Sequence, residues 1–175
     1  MRTAPDTLAP ALIDKMRQLL KHPAEELRKG IAVSLARFGI HSADSVNLLF
    51  DTMNSPTLPI RSRDQAVEAL VRIGGESIVD RLTTQLEVDD DSIQTRSLLA
   101  LIGLNSDAAL TGLSAKLLSK KPSTRYFAAA GLAVFVKDEN VAAIEALMQA
   151  LDRETENEPK AEIERVLSLR TQHAH

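Results

Sequence analysis

Cysteine and tryptophan are both absent from the 175 residues, and aromatics make up only 3% of them. Without cysteine there is no disulfide scaffold, no thiolate metal site and no thiol nucleophile, and the absence fits a reducing compartment. Long hydrophobic runs are also missing. The longest uncharged apolar stretch, residues 126–136, is far shorter than the roughly 20 residues a membrane-spanning helix needs. Asp6, Asp14, Lys15 and Arg17 interrupt the opening segment, so it reads as neither a signal nor a transit peptide, and the expected location is the cytoplasm. Nor does one sign of charge dominate: Lys plus Arg total 21 against 24 Asp plus Glu, a net charge of −3. Nothing chain-wide attracts nucleic acid or an anionic membrane, so neither is an expected partner.

What is present is a period. Apolar residues spaced 0, +3 and +7 recur as Ile13/Met16/Leu20, Val46/Leu49/Met53, Val79/Leu82/Leu86, Leu110/Leu113/Leu117 and Ile144/Leu147/Leu151. Each triplet makes one stripe of an amphipathic helix. The first members stand 33, 33, 31 and 34 residues apart, the regularity of a helical repeat. These are the A helices. A second register opens each B helix on a basic residue: Arg28, Arg63, Arg96, Arg125 and Lys160. Leucine follows seven residues later at Leu35, Leu70, Leu132 and Leu167, whereas the third copy has Gly103 there. Small residues crowd these segments, in AVEAL (66–70) and AAAGLAV (128–134), as expected where helices approach closely.

Turn chemistry falls between the stripes. Gly39 and the Gly74–Gly75 pair stand where a left-handed C-terminal cap is usual. Asp44, Ser77, Asp107 and Asn140 precede successive A stripes and are the expected N-caps. Breaks containing His22–Pro23, NSPTLP (54–59), EVDDD (87–91), KKPS (120–123) and ETENEP (154–159) separate each A segment from its B segment.

The strings LRKGIAVSLARFG (27–39) and IRSRDQAVEALVRIGG (60–75) resemble HEAT repeats, more closely the short phycobilisome-lyase type. The resemblance covers about residues 8–170 in five copies, the first two matching best. It implies an all-α, right-handed α-solenoid of about five helix pairs. The expected organisation is one domain over 1–175, with repeats at about 8–42, 43–76, 77–106, 107–139 and 140–172. Tetratricopeptide and ankyrin repeats have similar periods, but the Trp-x-x-Leu-Gly-x-x-Tyr and Thr-Pro-Leu-His strings that mark them are absent.

Catalytic signatures are scarce. No HExxH, GxSxG or phosphate-binding glycine loop occurs, and no two histidines have the i, i+4 spacing of a metal pair. The HEAT-like deoxyhypusine hydroxylases carry His-Glu pairs for a di-iron centre; this sequence contains no His-Glu dipeptide, which excludes that enzyme. Asp89–Asp90–Asp91 lacks the alternation and central glycine of a calcium loop, and it reads as a solvated loop capping the next helix. Glu154, Glu156 and Glu158 are read the same way. No catalytic residue, cofactor or metal is assigned. The resemblance to HEAT repeats implies that the basic ladder ties helices to acidic or carbonyl groups of a neighbouring repeat, a task suited to the planar guanidinium.

The expected function is therefore a non-catalytic protein-binding scaffold whose B helices line a concave surface. By spacing from the buried positions, its solvent-facing residues are Arg37, Arg61, Gln65, Glu68, Arg72, Gln94, Ser97 and Tyr126, with Tyr126 as the anchor. The resemblance implies an alternative, attachment or removal of bilins on phycobiliproteins. A HEAT-like alkylpurine DNA glycosylase ranks lower, because such a protein resembles a basic groove lined with aromatics, whereas several of Phe38, Phe50, Tyr126, Phe127 and Phe135 fall on core faces. Charge is graded along the chain: residues 8–42 carry six basic and three acidic side chains, residues 76–107 two basic and seven acidic. That gradient leads to the expectation of weak end-to-end association between copies, basic first repeat to acidic last repeat. Sedimentation should then show a dimer that salt dissociates; a monomer at every ionic strength would refute the association.

Overall fold

The computed structural model describes residues 10–170. Asp6, His173, His175 and the outermost residues of the first and fifth repeats lie outside that range. The described residues form ten helices and no strand, grouped into two compact units that divide between Ile73 and Gly74. The first unit holds α1 (Pro10–Leu19), α2 (Glu25–Arg37), α3 (Ala43–Asn54) and α4 (Ile60–Ile73). The second holds α5 (Glu76–Gln85), α6 (Asp91–Leu104), α7 (Asp107–Lys116), α8 (Pro122–Lys137), α9 (Val141–Leu151) and α10 (Asn157–Ser168).

Odd-numbered helices carry the A stripes and even-numbered helices the B stripes. In the first unit α3 packs on both α2 and α4, and α2 packs on α4. In the second, α5, α7 and α9 form one layer, α6, α8 and α10 the other, and each odd helix packs on the even helix that follows it. Within each unit this stacking of antiparallel pairs is that of an all-α solenoid. The A stripes supply core residues, with Leu49, Met53, Leu82, Leu86, Leu113 and Leu147 fully buried. The edge helix α1 buries none of its residues; among the described helices its main packing partner is α2.

The B register requires a correction in the third copy. Arg28, Arg63, Arg125 and Lys160 each occupy the fourth position of their helix; in α6 that position is Gln94, not Arg96. Reading from Gln94 restores the pattern, because seven residues on lies Leu101. Leu35, Leu70, Leu101 and Leu132 are all buried, and Leu167 is half-buried. Gly103 is exposed and takes no part in the stripe. The basic residue is thus replaced by glutamine in one copy, and the next arginine along the chain, two residues later, is off register.

Helix ends shift in a similar way. Asn140 caps α9, its side chain accepting from Ala143 N at 3.1 Å. The caps of α3 and α7 are Ser42 and Ser106, with Asp44 and Asp107 inside the first turn, and Gly75 rather than Ser77 precedes α5. Serine accepts the free first-turn amide while the neighbouring carboxylate interacts with the positive helix end. Gly39, Gly74 and Gly75 have φ of 71°, 66° and 95°, and where glycine is lacking Asn105 (37°) and Glu139 (56°) take the left-handed turn.

Leu101 has 0% exposure and Leu99 53%, so truncation distinguishes the two registers. Leu101→Ala should cost about 2–5 kcal/mol in urea unfolding, and Leu99→Ala within about 0.5 kcal/mol of zero; equal costs would contradict the register anchored on Gln94.

Candidate protein-interaction surface

The fourth position of three B helices, α2, α6 and α8, anchors the loop before it. Arg28 donates through Nη1 to the carbonyls of His22 (2.6 Å) and Pro23 (2.9 Å). Gln94 Nε2 donates to Leu86 O at 2.8 Å, and Arg125 Nη1 to Ser119 O at 3.0 Å. These carbonyls lie beyond helix ends and have no intrahelical partner, so a long donor reaching back satisfies them. Arg63 departs from the set, its Nε buried without a hydrogen-bond partner among the described residues.

Arg125 also crosses to the next repeat. Its Nε and Nη2 donate to Glu154 Oε2 and Oε1 at 2.6 and 2.8 Å, and the amides of Thr155 and Glu156 each donate to Oε1 at 3.0 Å. The Glu154 side chain is 3% exposed, so it is not the solvated loop residue expected of it. In the preceding repeat Glu87 has the corresponding role, accepting from Lys116 Nζ (3.1 Å) and Ser119 Oγ (3.0 Å). Asp90 caps α6 as expected, accepting from Ser92 N and Ile93 N at 2.9 and 3.0 Å.

Two grooves open on B helices, one in each unit. In the first unit, a groove of about 300 Å³ runs between α2 and α4, lined by Lys29, Ser34, Arg37, Ser62 and Gln65 among others. Lys29 is buried there and pairs with Glu25 at 2.6 Å, so the cation this groove presents to solvent is the exposed Arg37. Arg61, Gln65, Glu68 and Arg72, spaced four, three and four apart, share one face of α4; all but the half-buried Gln65 are exposed.

In the second unit, a groove of about 510 Å³ lies among α6, α8 and α10. Tyr126, 37% exposed, stands in it with its ring edge-on to Phe127, centroids 5.5 Å apart. Glu158, Ala161, Glu162 and Arg165 line the α10 side and Asp91 the α6 side. Arg165 Nε and Nη2 grip Glu162 Oε2 and Oε1 at 2.8 and 2.6 Å. That hydrogen-bonded pair raises the Arg165 pKa, burial opposes it, and the nearby Tyr126 oxygen adds to the rise.

Of the eight expected surface residues, Gln94 and Ser97 are misplaced. Both are buried, at 1% and 0% exposure. Ser97 donates to Gln85 Oε1 at 2.8 Å, tying α6 to α5. The two-residue register error accounts for both, since Gln94 is the loop anchor and Ser97 occupies the buried place that Ala66 and Ala128 hold in α4 and α8. Tyr126 is the single expected residue in the larger groove. Sequence reasoning misses Phe127, Asp91, Glu158, Glu162 and Arg165, although the 158/161/162/165 stripe has helical spacing: Glu158 reads as loop, whereas α10 starts at Asn157. Among the described residues no cluster of three histidine, aspartate or glutamate side chains could hold a metal ion, and no helix is long and apolar enough to cross a membrane.

Antiparallel pairs, anchored loops and open B-helix faces define a helical-repeat protein of the HEAT class. The family model for HEAT repeats matches residues 13–102, half of the chain, and the chain belongs to that family. No curated protein matches it in sequence. Among solved structures it is similar to human deoxyhypusine hydroxylase in complex with glycerol, with 20% identity and a TM-score of 0.53, over 94% of this chain and 64% of that one. The chain thus spans less than two thirds of the hydroxylase, and the likeness shows the fold alone. The complex of CpcE and CpcF of phycocyanin lyase from Nostoc sp. PCC7120 also matches, at 18% identity and a TM-score of 0.48, over 99% of this chain and 70% of that one.

Ionic anchoring predicts acid sensitivity. Arg125 holds the Glu154 carboxyl below its ordinary 4.5 against the opposing effect of burial. Burial pushes Glu87 up, but hydrogen bonds from Lys116 and Ser119 with the Lys116 charge outweigh it and hold it below 4.5. The unfolded chain therefore takes up these protons first, so the stabilisation is complete above 4.5 and is lost as the pH falls through the lowered native values. The urea midpoint should drop as pH goes from about 5 to about 3, and less steeply in Glu154→Gln; identical pH slopes would count against a stabilising Arg125–Glu154 pair.

Proposed function

We propose that the chain is a non-catalytic protein-binding scaffold that receives its partner on the B-helix faces. The observation that carries this reading is Tyr126, partly exposed over a groove of about 510 Å³. Tyrosine offers a large, stiff contact area with a polar tip and is enriched where interfaces gain most of their affinity. In the first unit the exposed Arg37, Arg61, Glu68 and Arg72, with Gln65 beside them, form the corresponding polar face. Gln94 and Ser97 have no place in the surface, being buried. Residues 1–175 are taken as one HEAT-like domain, acting in the cytoplasm.

The test is affinity capture from native lysate with the unmodified chain and with the Tyr126→Ala and Arg72→Ala variants, their folding checked by circular dichroism. A partner held by the unmodified chain should be recovered at least about tenfold less by Tyr126→Ala, the loss expected on truncating a central interface residue. Equal recovery by both variants would refute the B-helix surface. The bilin-handling alternative rests on the resemblance of LRKGIAVSLARFG (27–39) to the phycobilisome-lyase type; visible absorbance in the eluate would put it first.

A further inference from the structure

The groove of α6, α8 and α10 has a sign. Asp91, Glu158 and Glu162 line it against one cation, Arg165, whose charge is taken up by Glu162 through two hydrogen bonds. Asp91 and Glu158 are exposed, and neither forms an ion pair with a described residue. Asp91 opens α6 and Glu158 is the second residue of α10. Each helix start carries about half a positive charge, less than the full charge of the carboxylate beside it, so the groove stays negative. Its surroundings agree: residues 74–170 contain 16 acidic and 11 basic side chains, a balance of −5.

The groove also has an apolar wall, made by Tyr126, Phe127 and Ala161. A flat aromatic face between carboxylates suits a planar cation, which can stack on the ring while its N–H groups reach the acids. Arg165 already shows the ionic half of that arrangement within the molecule, doubly bonded to a carboxylate in the groove that holds Tyr126. A nucleic acid or an acidic segment would meet two unpaired negative charges here.

We propose that this groove binds a basic segment of the partner protein, with an arginine side chain laid on Tyr126 between Asp91 and Glu158. The inference rests on the scaffold reading and adds the chemistry of the partner.

The single tyrosine and the lack of tryptophan make ultraviolet emission a reporter of this groove alone. The full chain is titrated with a short peptide of arginine, leucine and alanine, and with its charge-reversed counterpart carrying glutamate. The arginine peptide should change Tyr126 emission saturably at micromolar concentration. Its affinity should fall several-fold between about 50 and 300 mM salt and about tenfold in the Asp91→Asn/Glu158→Gln double variant. The glutamate peptide should leave the emission unchanged. Absence of a saturable change with the arginine peptide, equal affinity for both peptides, or undiminished affinity in the double variant would each overturn the proposal. If the peptide fails while Tyr126→Ala still loses the native partner, the partner chemistry is wrong and the scaffold stands. If native capture also survives both alanine variants, the scaffold reading falls with it.

Discussion

A buried leucine seven residues after the fourth position of successive B helices is the constraint on which the rest of the structure depends. Leu35, Leu70, Leu101 and Leu132 are removed from water by neighbouring helices, each burial worth about 1.5–3 kcal/mol. A single helix pair cannot cover such a side chain on both sides, so pairs stack. Stacking demands small residues where helices meet. Ala66, Ser97 and Ala128 supply them in α4, α6 and α8. Gly131 goes further: a β-carbon there would lie 2.8 Å from Leu98 Cδ1 and 2.9 Å from both Leu113 methyl carbons. α8 therefore sits between α6 and α7 at a distance that only glycine permits without a shift.

Close stacking leaves the loops between A and B helices crowded with carbonyls that no helix satisfies. The anchor residues answer that need, and in the second unit they couple successive loops as well. Arg125 holds its own loop through Ser119 O and the next through Glu154, while Thr124 donates to Leu86 O at 2.8 Å and Lys121 to Asp89 at 2.7 Å. These are ion pairs and hydrogen bonds of mixed exposure. Their value lies chiefly in satisfying buried polar groups, which are costly when left unpaired. With the loops fixed, the exposed faces of α6, α8 and α10 are held in register, and the groove among them has defined walls.

Function on this fold belongs to the surface, since the buried stripes recur in every pair while the outer residues differ. The described residues of the first unit carry nine basic and seven acidic side chains, and the second unit 11 against 16. Tyr126 lies in the acidic one. On the proposed reading, an aromatic side chain standing among carboxylates would select partners by charge as well as by apolar area. Arginine is better matched to it than lysine, because a planar guanidinium can meet the ring and the acids at once.

The sequence by itself determined the helical repeat. Stripes at 0, +3 and +7, each separated by a polar break, can bury their apolar side chains only as paired helices, whatever the details of packing. It also determined that no thiol chemistry is available. Helix phase in α6 was beyond it: Arg96 looks like the third anchor because it is basic, and only the packed position of Leu101 shows that Gln94 fills that place. The same holds for Glu154, whose loop reads as solvated until Arg125, 29 residues away, is seen to fold over it. The groove around Tyr126 needed three helices to be brought together, and contacts among side chains distant in the chain are set by tertiary packing. Local spacing fixes which face of a helix is apolar; which polar residues then meet depends on how neighbouring helices settle against one another.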